Sequence, residues 1–326
     1  MKILFIGGTG IISSACSELA VEKGFTLYHL NRGRSHRKTG GVNQIIGDIR
    51  NKEEVKNVLK DSTFDVVVNW ISFTTEHIMT DLEIFRGKTG QYIFISSASA
   101  YQTPPEQLPI TEDTPLDNPF WQYSRDKIAC EKLLMEEYKK NQFPATIVRP
   151  SHTYDKTLLP TDWGYTVIDR MKKGKNTVIH GDGTSLWTMT HHRDFAKGFV
   201  GLLGNSKAIG EAFHITSDEL LPWNKIYELM ARELGVKLNP VHVPSDFIAQ
   251  IDPRMGGSLL GDKAHSMIFD NSKIKRFVPE FKATIKFEEG VKEIIKWYRE
   301  NPDWQVVNPE TDAMIEEIII KYSSKV

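Results

Sequence analysis

Tyr123 and Lys127 stand four residues apart in Tyr123-Ser124-Arg125-Asp126-Lys127, so a helix over this stretch sets a phenol and an ammonium on one face, one turn apart. Upstream, a strand over residues 91–96 delivers Ser96-Ser97-Ala98-Ser99-Ala100-Tyr101 at its carboxyl edge, where small hydroxyl side chains face a cleft. Together these groups suit oxidation of an alcohol or reduction of a carbonyl. A phenol with a pKa near about 10 is a poor base at neutral pH, but a nearby ammonium and a cationic nicotinamide ring both favour phenolate. In that chemistry Ser97 hydrogen-bonds the substrate oxygen, Tyr123 takes or returns its proton, Lys127 lowers the pKa of Tyr123, and the nicotinamide carries hydride. A Tyr/Lys pair at this spacing occurs in many helices by chance. The cofactor signal elsewhere in the chain gives this one its meaning.

That signal begins at residue 2. A strand over Lys2–Ile6 runs into Gly7-Gly8-Thr9-Gly10-Ile11-Ile12-Ser13 and then directly into a helix, the context a dinucleotide fingerprint requires. Gly7 permits the tight turn and Gly10 lets the backbone approach a pyrophosphate. The helix N-terminus at Ile11 and Ile12 offers N–H groups and a positive dipole end. Ser13 occupies the third glycine position. Users of NAD carry an acid about 20 residues further on, at the end of the second strand. Here that strand ends His29-Leu30-Asn31 and continues Arg32-Gly33-Arg34-Ser35-His36-Arg37-Lys38. Neutral Asn31 followed by cations favours the 2′-phosphate of NADP over NAD, through Arg32, Arg34 or Ser35, with a solvated basic loop as the alternative. Asp48 and Ile49, after the third strand, are expected at the adenine edge, although Asp48 also suits a helix cap. Trp70 and Pro150, at the ends of the fourth and sixth strands, complete the expected cofactor contacts.

The elements that must position these residues alternate. Apolar, β-branched runs at residues 2–6, 26–30, 42–46, 66–70, 91–96 and 145–149 read as doubly buried parallel strands, with helices at 13–23, 52–59, 78–85 and 124–141 between them. After Pro150 the stretch 153–163 is loop-like. A helix follows at 165–172, then a strand near Val178, strands at 188–191 and 212–215 around a helix capped at Asp194, and a short strand at 241–243. From Trp223 onward the pattern is mostly helical, with clear segments at 223–234, 287–300 and 311–322. The expected fold is α/β: a Rossmann, doubly wound parallel sheet from residues 1–150 plus about 188–222, and a smaller, mainly helical C-terminal substrate lobe from about 151–187 plus 223–326. A ligand is expected at the carboxyl ends of the parallel strands. His152 and Trp163, on the loop leaving the sixth strand, and Ser99 are candidate substrate contacts. Trp187 and Met189 read as core, and Cys130 as a small buried apolar residue.

Composition narrows the class. With 41 Lys+Arg against 42 Asp+Glu the net charge is -1, so the chain as a whole is no polyelectrolyte for nucleic acid or an anionic membrane. Only 2 cysteines occur, which fits a reducing cytoplasm better than secretion. No run approaches the ~18 apolar residues a membrane span needs. His191 and His192 are neighbours and face opposite ways in a strand, so no metal site is expected.

Taken together, these residues resemble the extended short-chain dehydrogenase/reductase family, the branch of NAD(P)-dependent sugar epimerases and dehydratases. Gly7-Gly8-Thr9-Gly10 is similar to its glycine motif, Ser97 to its strand-end serine, and Tyr123 with Lys127 to its Tyr-x-x-x-Lys. Arg149-Pro150-Ser151-His152-Thr153-Tyr154 is similar to its Arg-Pro-x-x-x-Tyr, and Gly181-Asp182-Gly183 with Thr190 to Asp194 to a later strand–helix landmark. The resemblance spans nearly the whole chain. It implies Ser97, Tyr123 and Lys127 as catalytic residues, bound NADP or NAD, a sugar-like small molecule or nucleotide sugar as substrate, and a homodimer formed through the helix of Tyr123. Members acting on nucleotide diphosphates use C-terminal-lobe arginines on the pyrophosphate. Arg232, Arg254 and Arg276 are available here, and Arg254 is the choice. The closest subgroup resembles bacterial proteins related to a chloroplast stem-loop RNA-binding branch. RNA binding or NAD(P) sensing is therefore the alternative to a cytoplasmic enzyme.

Overall fold

Runs of Val, Ile and Phe with both faces apolar can only be satisfied between two helical layers, and this is what the first half of the chain builds. The structure, a computed structural model, describes residues 1–324. Its first half comprises β1 (Lys2–Ile6), α1 (Ile11–Glu22), β2 (Thr26–Asn31), β3 (Asn43–Ile46), α2 (Lys52–Leu59), β4 (Phe64–Asn69), α3 (Thr75–Phe85), β5 (Thr89–Ile95), α4 (Gln122–Asn141) and β6 (Ala145–Pro150). The chain continues through β7 (His152–Tyr154), α5 (Tyr165–Lys172), β8 (Thr177–His180), β9 (Leu186–Trp187), β10 (Met189–His191), α6 (His192–Leu202), β11 (Ala212–Ile215), β12 (Leu221–Pro222) and α7 (Trp223–Leu234). It closes with β13 (Pro240–Val243), α8 (Ser245–Ile251), α9 (Pro253–Ser258), α10 (Ser272–Phe277), α11 (Phe287–Glu300) and α12 (Pro309–Ser323).

Seven strands form one parallel sheet in the order β3-β2-β1-β4-β5-β6-β11. The order reverses between β1 and β4, which opens a crevice at their carboxyl ends, beside Gly7 and Ile71. One sheet face packs Phe5, Val66, Ile93 and Val148 against α1 and α6, and the other packs Leu4, Val67, Tyr92 and Ile147 against α2, α3 and α4. A third core, around Trp187, Trp223, Ile294 and Ile318, holds three two-stranded pairs and the remaining helices except α10. Among the described residues no helix is long and apolar enough to cross a membrane.

Three details depart from the sequence reading. Residues 153–163 are not all loop: His152–Tyr154 pairs in parallel with Met189–His191, because Tyr154 is fully buried against His191 and Phe287. Helix α6 begins at His192 with His191, not Asp194, as its cap. The Asp194 carboxylate is occupied instead by Lys197 Nζ at 2.6 Å and the Ile285 N–H at 2.7 Å. Residues 272–281, assigned by sequence to the second lobe, give Ile274, Val278 and Phe281 to the core of the parallel sheet.

Helix α4 is pinned to β6 by a buried ion pair. Arg149 and Glu131 are 5% and 2% exposed, and the guanidinium meets both carboxylate oxygens, Nη2 to Oε2 at 2.6 Å and Nε to Oε1 at 3.0 Å. Arg149→Leu leaves Glu131 as an uncompensated buried charge and is expected to destabilise the fold by about 3–5 kcal/mol. Urea denaturation checks this. The double substitution of Arg149 and Glu131 to leucine should recover most of the loss, since it removes the orphaned charge.

Candidate active site

The turn after β1 is shaped by what a side chain would strike. Gly7 and Gly8 have φ of +101° and +96°, and a Cβ on Gly8 would lie 2.5 Å from His29 Nε2. Gly7 N–H donates to the Leu30 carbonyl at 2.9 Å, which ties the turn to the end of β2. Ser13, at the third glycine position, accepts a hydrogen bond from the Gly10 N–H at 2.8 Å and is 2% exposed, so it closes the turn without loosening the packing of α1. No acidic residue lies in the first turn of α1, leaving its positive end free for an anion.

Beside this turn is a groove of about 390 Å³ lined by Gly7, Asn31, Arg32, Arg34, Ser35 and Asp48, with Ile49, Arg50 and Phe73 along its floor and edge. Arg32 and Arg34 are exposed, and Arg32 lies 3.9 Å from Asp48. Asn31 spends its carbonyl on the Gly33 N–H (2.8 Å) and its amide on Gln44 (3.0 Å). The Asp48 carboxylate caps the Arg50 N–H at 3.0 Å. The residues present therefore fit a dinucleotide: a Cβ-free turn, a helix end and cations at the end of β2. Ile11 and Ile12 open α1 itself. Trp70 packs with Phe5 and Phe199 at ring separations of 5.4 and 4.9 Å, so its partly buried indole leans on the core beneath the groove while its Cβ stands beside the Gly7 turn.

At the carboxyl end of β5 the hydroxyls form a chain. Ser124 Oγ donates to Ser99 Oγ at 2.7 Å, Ser99 and Ser97 Oγ lie 2.9 Å apart, and Ser97 hydrogen-bonds the Tyr123 phenol. Burial raises the Tyr123 pKa above its ordinary value, and the hydrogen bond from Ser97 only partly opposes this. Lys127, 2% exposed, donates to the carbonyls of Ser72 (2.7 Å) and Ile95 (2.8 Å) and lies 5.7 Å from the Tyr123 ring centre. Burial lowers its pKa to about 8, against the pull of Cys130 and Glu131. The ammonium thus lies one turn from the phenol, as the spacing requires, yet in the protein alone burial sets the phenol's protonation. Ser72 is itself held by Asp81, a buried carboxyl that also takes Asn69 and Tyr92.

The phenol opens into a cavity of about 310 Å³ lined by Ser97, Ser99, Tyr123, Pro150 and His152, and on the opposite wall by Asp162, Asp262 and Lys263. Trp163 lines an adjoining recess that shares Asp162 and Lys263. His152 Nε2 is buried without a hydrogen-bond partner, and burial together with Lys263 lowers the pKa of this ring to about 4. Lys263 pairs with Asp162 at 3.1 Å, and burial raises Asp262 to about 7. Arg254 lies outside the cavity, exposed and paired with Asp252 at 2.9 Å. Sequence reasoning did not find Phe73, Asp162, Asp262 or Lys263. The Asp162–Lys263 pair is joined only by folding across 100 intervening positions, and no local motif announces it.

The profile of the NAD dependent epimerase/dehydratase family matches residues 3–216. The chain belongs to this family. It is thus an extended short-chain dehydrogenase/reductase, the likeness read from its motifs. The 2'-dehydrokanamycin reductase of Streptomyces kanamyceticus is 26% identical over 58% of this chain, which spans about half, 54%, of that reductase. The chloroplast stem-loop binding protein of 41 kDa b of Arabidopsis thaliana is 25% identical over 96% of this chain and 78% of its own length. In fold, a dTDP-glucose 4,6-dehydratase from Bacillus anthracis in complex with NAD superposes with a TM-score of 0.75 at 20% identity, covering 93% of this chain and 98% of that one.

Proposed function

We propose that this family member is an NADP-dependent oxidoreductase, epimerase or dehydratase acting on a hydroxyl or ketone of a sugar-like small molecule, with Ser97, Tyr123 and Lys127 as its catalytic set. The observation that carries this reading is the hydroxyl chain that ends at Tyr123, whose ring lies 6.5 Å from that of Phe73 at the edge of the glycine-turn groove. When bound, the nicotinamide supplies or accepts hydride. Ser97 orients the substrate oxygen toward the phenol, Tyr123 holds or takes its proton, and Lys127 supplies positive charge one helical turn away. His152 and Ser99 meet the substrate in the cavity beside the phenol.

NADP is favoured over NAD because β2 ends in Asn31, followed by Arg32, Arg34 and Ser35 at the rim of the groove. Calorimetric titration of the cofactor-free protein tests this: NADP binds more tightly than NAD. Arg34→Ala weakens NADP by about tenfold, the value of a charge-assisted hydrogen bond, and leaves NAD unchanged. Tighter binding of NAD would remove the 2′-phosphate assignment. The protein is further read as a cytoplasmic homodimer joined through the helix of Tyr123, and sedimentation showing only monomer would withdraw that interface. The Arabidopsis relative, together with the exposed cations of residues 32–38, favours RNA binding as the second reading. Steeply salt-dependent binding of a short stem-loop RNA without dinucleotide binding would select it.

A further inference from the structure

The walls of the cavity at Tyr123 carry a charge pattern that selects among sugars. Three charged side chains face it: Asp162, Asp262 and Lys263. Lys263 is 6% exposed and committed to Asp162 at 3.1 Å, and Asp162 also takes the Ser258 hydroxyl at 2.9 Å. The Asp262 carboxylate has no hydrogen bond or ion pair among the described residues, and it is close enough to Tyr123 to act on its charge. One carboxylate is therefore left over, recessed, beside the reacting phenol. Two nearby groups hold buried polar atoms without partners: His152, in the same cavity, at Nε2, and His180, 7% exposed in the adjoining recess with Asp162 and Lys263, at both ring nitrogens. Buried polar atoms without a partner are uncommon in folds, and here three of them cluster beside the cavity and its recess.

The cations a diphosphate would need lie elsewhere. Arg232 pairs with Glu288, Arg254 with Asp252 and Arg170 with Asp312 and Glu316, while Arg299 donates to the Glu233 carbonyl. Arg276 is exposed on α10, and none of these lines the cavity. At about 310 Å³ the space is at the small end of ligand pockets.

We propose that the substrate is an amino sugar without a phosphate or nucleotide, its ammonium seated on Asp262 and the Asp162 side of the cavity, its hydroxyls on His152 and Ser99, and its reacting carbon at Tyr123. This inference rests on the oxidoreductase reading above and narrows its substrate. Burial holds Asp262 near 7 in the protein alone, so an incoming ammonium finds a group able to ionise against it.

Calorimetry in two stages separates the inference from the reading on which it rests. NADP is titrated first, and then D-glucosamine, D-galactosamine, 2-deoxystreptamine, N-acetylglucosamine, glucose 1-phosphate and UDP-glucose are titrated into the loaded protein. At least one amine is expected to bind tenfold or more tightly than the N-acetylated and phosphorylated sugars. Asp262→Asn should reduce that preference to threefold or less while NADP affinity is unchanged, which also shows that the variant folds. Binding of NADP with UDP-glucose preferred, or with no amine bound above N-acetylglucosamine, overturns the amino-sugar inference and leaves the oxidoreductase reading standing. Absence of binding of either NADP or NAD overturns both. The comparison of amine with N-acetyl amide on the parent protein decides the matter even if the Asp262 variant does not fold.

Discussion

Tyr123→Phe is expected to lower kcat by about 10²- to 10⁴-fold, the range for loss of a positioned general acid or base, with dinucleotide affinity unchanged. The substitution removes one oxygen at the end of the Ser124–Ser99–Ser97 chain and leaves the ring packed between Trp121 and Phe73. Because burial holds the phenol protonated at neutral pH, Tyr123 is set to donate a proton, which serves carbonyl reduction. Alcohol oxidation needs the phenolate, so its rate should climb as pH rises above 7 while the reductive rate falls. Stopped-flow measurement of NADPH absorbance in both directions reads both effects. There is a rival. Asp262, held near 7 by burial and facing the same cavity, has the pKa of an effective proton carrier. If Tyr123→Phe retains activity within tenfold of the parent, proton transfer belongs to Asp262 and the role given to the phenol is wrong.

The parallel sheet is legible because its inner strands are short, apolar on both faces and mostly separated by a helix-length polar pattern, and α2 and α7 match the sequence reading to the residue; β3, read as doubly buried, is instead an exposed edge strand that follows β2 without a helix. The dinucleotide turn was legible for the same reason: it is local, with strand, glycines and helix contiguous. What the sequence hid is non-local. Asp262 and Lys263 follow a Gly-rich stretch, 253–261, with no motif of its own, and they lie on one wide helical turn, Leu259–Lys263, that continues α9 and borders the cavity. Nothing in the spacing says that Lys263 finds Asp162. Trp70, at the end of β4 beside the Gly7 turn, also packs its ring on Phe5 and Phe199, a contact that its position in the sequence does not announce. Arg254 stands out in the sequence for its charge within the Gly-rich stretch 253–261, and Asp252 at its own helix cap already holds it.

Acidification from pH 6.5 to 4 is expected to unfold the protein cooperatively. His29, His152, His180, His192 and His214 are each lowered to about 4, with burial the largest cause in every case. Geometry explains why they resist a proton. His214 accepts the Tyr101 hydroxyl on Nδ1 and donates from Nε2 to the Asp270 carbonyl, so a second proton would break the first of these bonds. His29 donates to Ser17 from Nε2, while its Nδ1 is buried with no acceptor to receive an N–H. Neither nitrogen of His180 has a partner. Between their folded pKa values and 6.5 the unfolded chain binds five protons that the fold refuses, so stability falls as pH falls. Asp81 and Asp262 act in the opposite sense. Raised to about 6 and about 7 by burial, they hold protons in the fold that the unfolded chain releases above its ordinary carboxylate pKa. The balance is about three protons, or roughly 4 kcal/mol per pH unit near pH 5, against a total stability of about 5–15 kcal/mol for a typical fold. Urea midpoints at pH 7, 6, 5 and 4.5 read the slope directly. His29→Phe, which keeps the stacking on Phe5 and removes one titrating ring, should flatten it by about one proton's worth. A midpoint that stays constant from pH 7 to 4.5 would mean that these histidines gain their protons without opening the fold, and the buried, unpartnered nitrogens would then have to be reached by water.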